Sequence, residues 1–205
     1  MRARFGGIST SCDQCVVVKE SCLFERTVTE IMTETVNADL LFCDADLIVQ
    51  QTNTVTRRAH GLSDAIAKRF KYANVYERRS GKTANTADKR DVAGSVVLCR
   101  PTSGESGPIV ACLMAQMAPG KPGDWCLQYK IDAQDDTAEK REEYFRDALL
   151  ALAETIRKSE GEIKSVAFPF GIGCGLAGGK WSHYEAMIEF FARSLPGIKV
   201  TICKK

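Results

Sequence analysis

The residues best suited to chemistry form one run, Phe170-Gly-Ile-Gly-Cys-Gly-Leu-Ala-Gly-Gly-Lys-Trp181. Five glycines (Gly171, Gly173, Gly175, Gly178 and Gly179) fall within nine positions, between an apolar strand and a helix start. Glycine lets backbone N–H groups turn toward a ligand and lets a bulky anion come close. The helix that follows adds the positive end of its dipole. Such a loop can cradle phosphate, and the carboxyl end of a strand is where open α/β sheets bind ligands. A plain tight turn is the competing reading, though it needs fewer glycines. The run is not a P-loop, because no Gly-Lys-Ser/Thr follows four spacers. It also lies too late in the chain for a dinucleotide fingerprint.

A second junction is Asp46-Leu-Ile-Val-Gln-Gln-Thr-Asn53, an apolar strand with a polar end that leads through 54–60 to Gly61-Leu62 and a helix. Asn53 offers a donor and an acceptor, which suits a sugar hydroxyl and equally suits a turn. His60 is one of two histidines, and histidine is the side chain that ordinarily titrates nearest neutrality. It is the candidate base, against a role in packing or capping the loop. His183, in the first turn of the last helix, reads as a surface or packing residue. Cys174 could act as a thiolate if loop amides and the helix dipole stabilised it. The Cys-x5-Arg arrangement needs arginine where this chain has Lys180, so that reading is the weaker one.

These side chains must be positioned by alternating elements. Asp46–Gln50, Ser95–Cys99, Ile109–Met114, Val166–Pro169 and Ile198–Ile202 read as strands. Leu62, Ile66 and Phe70 have helical spacing. The clearest helix opens at a capping-box-like Asp136-x-x-Glu139 and carries Tyr144, Phe145, Ala148, Leu149, Leu152, Ala153 and Ile156 on one face, ending at Gly161. Another is expected from Ser182-x-x-Glu185, with Tyr184, Ile188, Phe191 and Leu195. Residues 72–93 lack periodicity and read as a long surface loop or irregular helix, and 117–136 as loop. The alternation argues a largely parallel sheet with helices on both faces.

At the two junctions the sequence resembles the macro domain, the ADP-ribose-binding module. Asp46 to Asn53 is similar to that family's Asp-Ala-Ile-Val-Asn-Ala-Ala-Asn strand, and Asn37-Ala-Asp39-Leu40 to its upstream Gly-Asp-Ile. His60-Gly61-Leu62 stands where its first glycine loop precedes a helix, and Gly171 to Leu176 resembles its phosphate loop. The likeness covers roughly 36–203. It implies a three-layer α/β/α sandwich with a central mixed, mostly parallel sheet. It also implies that Asp39 accepts from the adenine amino group and Asn53 bonds the distal ribose. Gly61, Leu62 and the Gly171, Ile172, Gly173, Cys174, Gly175, Leu176 run would wrap the pyrophosphate, with Phe170 or Tyr184 as a stacking aromatic. The chain departs from the hydrolytic patterns, with Ser63 where an acidic residue stands and Ala177 where the lysine-adduct branch has aspartate. What remains resembles the ADP-ribose 1″-phosphate phosphatases. Two readings follow: a hydrolase of a phosphate, ester or protein linkage on the distal ribose, using Asn53 and His60, or a non-catalytic reader of ADP-ribose or ADP-ribosylated proteins.

Composition sets outer bounds. With 205 residues, 44% hydrophobic and 26% charged, the chain suits one sizeable soluble domain. A net charge of +2 without a Lys/Arg run gives no dedicated nucleic-acid surface. No apolar run approaches a membrane span, and no cofactor or metal is expected. Nine cysteines, several within apolar runs such as Val97-Leu98-Cys99, read as small buried hydrophobes in a reducing cytoplasmic or nuclear compartment. Cys12-x-x-Cys15 and Cys22 resemble part of a zinc site but lack a fourth ligand nearby, so they read as free thiols. Residues 1–31 are read as an N-terminal extension and 32–205 as the macro domain.

Overall fold

The computed structural model describes residues 33–79, 86–87 and 89–205. The extension and its three cysteines lie outside the described residues. Six strands form one sheet in the order β1-β6-β5-β2-β4-β3. They are β1 (Glu34–Asn37), β2 (Leu47–Asn53), β3 (Val96–Cys99), β4 (Ile109–Gln116), β5 (Ser165–Pro169) and β6 (Lys199–Lys204). Only the β3–β4 pair is antiparallel. The short Pro/Gly/Ser loop between these strands has no crossover helix, so the chain must double back. β1 was not foreseen. Its four residues, ETVN, are mostly exposed at the sheet edge, which leaves no apolar signature.

Alternation of side chains along the strands divides the core. Leu47, Val49, Ala111 and Leu113 face a layer built from α3 (Ala138–Arg157) and α4 (Trp181–Arg193). Ile48, Val110, Cys112 and Met114 face the other way, under α1 (Leu62–Arg69) and the short 3-10 turns Leu40–Phe42 and Lys71–Ala73. The central strands are buried on both sides, hence their unbroken apolar runs. The result is the expected three-layer α/β/α sandwich. Among the described residues, no helix is long and apolar enough to cross a membrane.

Four local expectations need correction. The cap of α3 is Thr137, whose hydroxyl accepts from the Lys140 amide. Asp136 is instead fully buried and paired with Arg141. α4 begins at Trp181, ahead of Ser182, and its N-cap Lys180 makes no side-chain cap bond. Among the described residues of 72–93, expected as surface loop or irregular helix, Val75, Tyr76, Arg79 and Ala87 are buried, so this part does not lie wholly on the surface. The 117–136 stretch also holds a one-turn helix, α2 (Cys126–Tyr129), over a small cluster of Val55, Ala118, Cys126, Tyr129 and Ile131.

Candidate functional site

A cavity of about 380 Å³ opens at the carboxyl ends of β2 and β5. Asn53, His60, Gly61, Leu62, Gly171, Ile172, Gly173, Gly175 and Leu176 all line it, so both sequence junctions meet at one place. Two expected residues do not line it. The Cys174 side chain packs against the core, its thiol donating to the Ile172 carbonyl at 3.3 Å, and burial pushes its pKa up. Asp39 lies just past the end of β1. Its carboxylate accepts from the Leu41 amide at 3.0 Å and pairs with Lys205 Nζ at 2.6 Å, and the Lys205 contact leads in holding its pKa down.

The glycine loop is shaped by internal bonds. The amides of Ile172 and Cys174 donate to the carbonyls of Pro169 and Gly171, and Gly179 donates to Gly173. Gly173, Gly175 and Leu176 contribute amides with no hydrogen-bond partner among the described residues. These are the donors a phosphate would use. Gly173 is irreplaceable on two grounds. Its φ is +75°, and an added Cβ would lie 2.4 Å from the Tyr184 ring. Tyr184 is buried beneath the loop, its phenol pushed to about 12 mainly by burial. Of the two candidate aromatics, Tyr184 does not line the cavity. Phe170 lines it, 43% exposed, with Trp181 4.8 Å away between ring centroids.

The opposite end is organised by Asn53. Its Oδ1 accepts from the amides of Val55 (3.0 Å) and Thr56 (2.8 Å) and from the Thr56 hydroxyl (3.0 Å). The oxygen is therefore consumed in holding the loop, and the NH2 group is what remains for a ligand. A register shift between Gln51 and Asn53 against β4 turns the strand end toward the cavity. Arg58 and His60, both exposed, complete this end. No Asp or Glu is among the described residues lining the cavity. The electrostatics favour an anionic, acceptor-rich ligand.

Sequence reasoning missed four supports. Arg141 is 1% exposed and reaches five partners: both oxygens of Asp136 and the carbonyls of Ala118, Gly120, Lys121 and Ala177 supply its contacts. It thereby fastens the glycine loop and the 118–121 loop to α3. Arg79 donates to the carbonyls of Asn53 (2.7 Å) and Thr56 (2.6 Å) and to Asp91 (2.7 Å). Its guanidinium also lies 4.8 Å from the centre of the Tyr76 ring. Tyr76 lines the cavity, its pKa raised by burial against opposing contacts from Ser63, Arg79 and the Asn53 amide. Finally, Gln51 donates to Gln116 at 2.8 Å and Gln116 to the Ala118 carbonyl at 2.9 Å, a chain of amides along the cavity wall. His183 sits away from the cavity, against Glu142 at 2.7 Å.

No protein-family model and no curated protein sequence matches this chain. Solved structures do. The macrodomain of Mycobacterium tuberculosis DarG superposes with a TM-score of 0.58 at 21% identity, over 84% of this chain and 97% of that one. The macrodomain of Thermus aquaticus DarG gives 0.57 at 17% identity, over 85% and 99%. This chain has the macrodomain fold. A third match is Thermosipho africanus DarTG in complex with ADP-ribose, with a TM-score of 0.59 at 19% identity. That match covers 85% of this chain and 42% of the Thermosipho chain. In the fold described here, the cavity lies between the two loops that the resemblance singles out. Among the described residues, no group of three or more His, Cys, Asp or Glu side chains could hold a metal.

Proposed function

We propose that this macrodomain binds ADP-ribose and cleaves a phosphate, ester or protein linkage on its distal ribose. The observation that carries the reading is the cavity's polarity. Unpaired glycine-loop amides lie on one side, and Asn53 Nδ2, Arg58 and His60 on the other, with no carboxylate between them. The amides of Gly173, Gly175 and Leu176 would hold the pyrophosphate, Asn53 the distal ribose, and Phe170 the adenine face. His60 would take the proton from an attacking water. Asp39 would read the adenine amino group from beside the cavity, which requires its carboxylate to share or leave Lys205. The Thermosipho structure, with ADP-ribose bound, supports the ligand class.

A second reading is favoured by one feature of the same cavity. Without a carboxylate in its lining, the domain would be a reader that holds ADP-ribose or ADP-ribosylated protein without turnover. Calorimetric titration with ADP-ribose, against AMP and ATP, tests the shared part. Selective micromolar or tighter binding is expected, and no heat with ADP-ribose would remove both readings. Turnover of the 1″-phosphate and of ADP-ribosylated protein then separates them. Loss of product in His60→Ala with binding retained supports the hydrolase; equal turnover in that variant and wild type removes His60 as base.

A further inference from the structure

Three separate segments are knit together at the Asn53 end of the cavity. Thr86 bridges to Thr56, the Ala87 amide donates to the Val55 carbonyl at 2.8 Å, and the Asp91 amide donates to the Thr54 carbonyl at 3.2 Å. Lys89 and Arg90 are therefore carried alongside the loop that follows Asn53. The third segment is tied on by Arg57, whose Nε donates to the Arg79 carbonyl at 2.9 Å, and by Arg79 itself, which holds the Asn53 and Thr56 carbonyls. Residues 57–58, 77–79 and 89–91 together hold six basic side chains and two acidic ones, Glu77 and Asp91. The whole chain is only +2, so positive charge is concentrated here and the remainder is net negative.

Little of that charge is neutralised within the protein. Asp91 is shared by Arg78 at 2.6 Å and buried Arg79 at 2.7 Å. Arg58, Lys89 and Arg90 are exposed and have no carboxylate partner among the described residues. Arg90 donates instead to the carbonyls of Tyr129 and Lys130, which holds its guanidinium in place and leaves its charge uncompensated. Arg58 and His60 also line the cavity. On the ADP-ribose reading, whatever is attached to the distal ribose leaves the cavity past them, onto this surface.

We propose that this surface docks an acidic segment of the protein that carries the ADP-ribose, with Arg58, Arg78, Lys89 and Arg90 meeting its Asp and Glu side chains. The inference rests on the ADP-ribose reading above and adds the chemistry of the carrier. Guanidinium groups pair with carboxylates through two parallel bonds. A nucleic acid would ask for more, namely a basic track along its backbone and rings on which its bases stack. The aromatic rings that this surface touches, Tyr76 under Arg79 and Tyr129 beside Arg90, are both buried.

The test is calorimetry on the full chain with two peptides that carry ADP-ribose through the same hydrolysis-resistant link, one flanked by glutamates and one by glutamines. Wild type is expected to bind the glutamate peptide about three- to tenfold more tightly at low salt, the contribution of about two exposed ion pairs, and the gap is expected to close at about 1 M salt. Arg78→Gln combined with Lys89→Gln, neither residue being in the cavity lining, is expected to remove most of that preference and leave free ADP-ribose affinity unchanged. Equal affinity for the two peptides in wild type overturns the proposal. So does a preference that survives in the double variant, or a loss shared equally by free ADP-ribose. Tighter binding of an ADP-ribosylated oligonucleotide than of the glutamate peptide overturns it in favour of a nucleic acid. Wild type that binds neither free ADP-ribose nor either peptide removes the ADP-ribose reading and the proposal with it, and that common loss tells the two failures apart.

Discussion

Replacing Arg141 with methionine should be the most damaging single change in the domain outside the apolar core. Methionine fills much of the space but offers no donor. Asp136, 0% exposed, would keep two backbone amides and lose its counter-charge. The carbonyls of Ala118, Gly120, Lys121 and Ala177 would lose their shared donor. Removing one partner of a buried pair costs about 3–5 kcal/mol, because the remaining charge is stranded. For a domain of this size that is a drop in Tm of about 6–20 °C. Urea unfolding followed through Trp125 and Trp181 fluorescence reads it directly, as a lower midpoint at constant slope. Adding Asp136→Asn to Arg141→Met removes the stranded charge and should recover part of the loss. The Gly120 and Ala177 carbonyls still lack the donor that Arg141 supplied, so recovery is incomplete. A loss below about 1 kcal/mol in Arg141→Met would put the guanidinium in the class of exposed pairs and refute the reasoning.

Asn53→Asp keeps the acceptor that bonds Val55 and Thr56 but removes the NH2 group; stability is expected to hold while ADP-ribose affinity falls about tenfold, measured by calorimetry. Both Gly171 and Gly173 have positive φ, yet only Gly173 would drive a Cβ into Tyr184. Gly171→Ala should therefore cost about 1–2 kcal/mol and Gly173→Ala clearly more, compared by urea midpoints; equal costs would show that Tyr184 yields. Asp46 accepts from the Lys164 amide and from the amide and hydroxyl of Ser165, the Lys164 bond leading in holding its pKa below the usual 3.8. A depressed folded pKa adds stability above the unfolded value that is lost as pH falls through the folded one. The gap between wild type and Asp46→Asn should thus be constant above about pH 5 and close below about pH 4, read from urea midpoints across pH.

The sequence carried the parts of the site that depend on local geometry. A glycine run after a strand and a polar strand end both mark places where backbone must meet ligand, and both reached the same cavity. The supports were illegible because their meaning is non-local. Arg141 sits in Lys140-Arg141-Glu142, which reads as a solvated helix face until loops 21 and 36 residues away fold over it. Asp136 looks like a cap for the same reason: the residue type fits, and only Thr137's actual bond to Lys140 decides. Tyr76 lies in a stretch without periodicity, since its burial comes from Arg79 and the strand ends rather than from any repeating element.

The pairing of β1 with β6 sets an order of construction. Glu34 lies opposite Thr201, so that edge of the sheet joins the two extremes of the described chain. A contact of such long range forms late, after the loop-closure entropy of the whole intervening chain has been met. Phe170 hangs its amide on the Cys203 carbonyl, and Asp39 takes Lys205 as partner. During synthesis, then, the Asn53 end of the cavity can be assembled from strands already made, whereas the Phe170 end stays unfinished until the last strand arrives. A nascent chain halted before β6 would lack both the Cys203 carbonyl that holds the Phe170 amide and the lysine that pairs with Asp39.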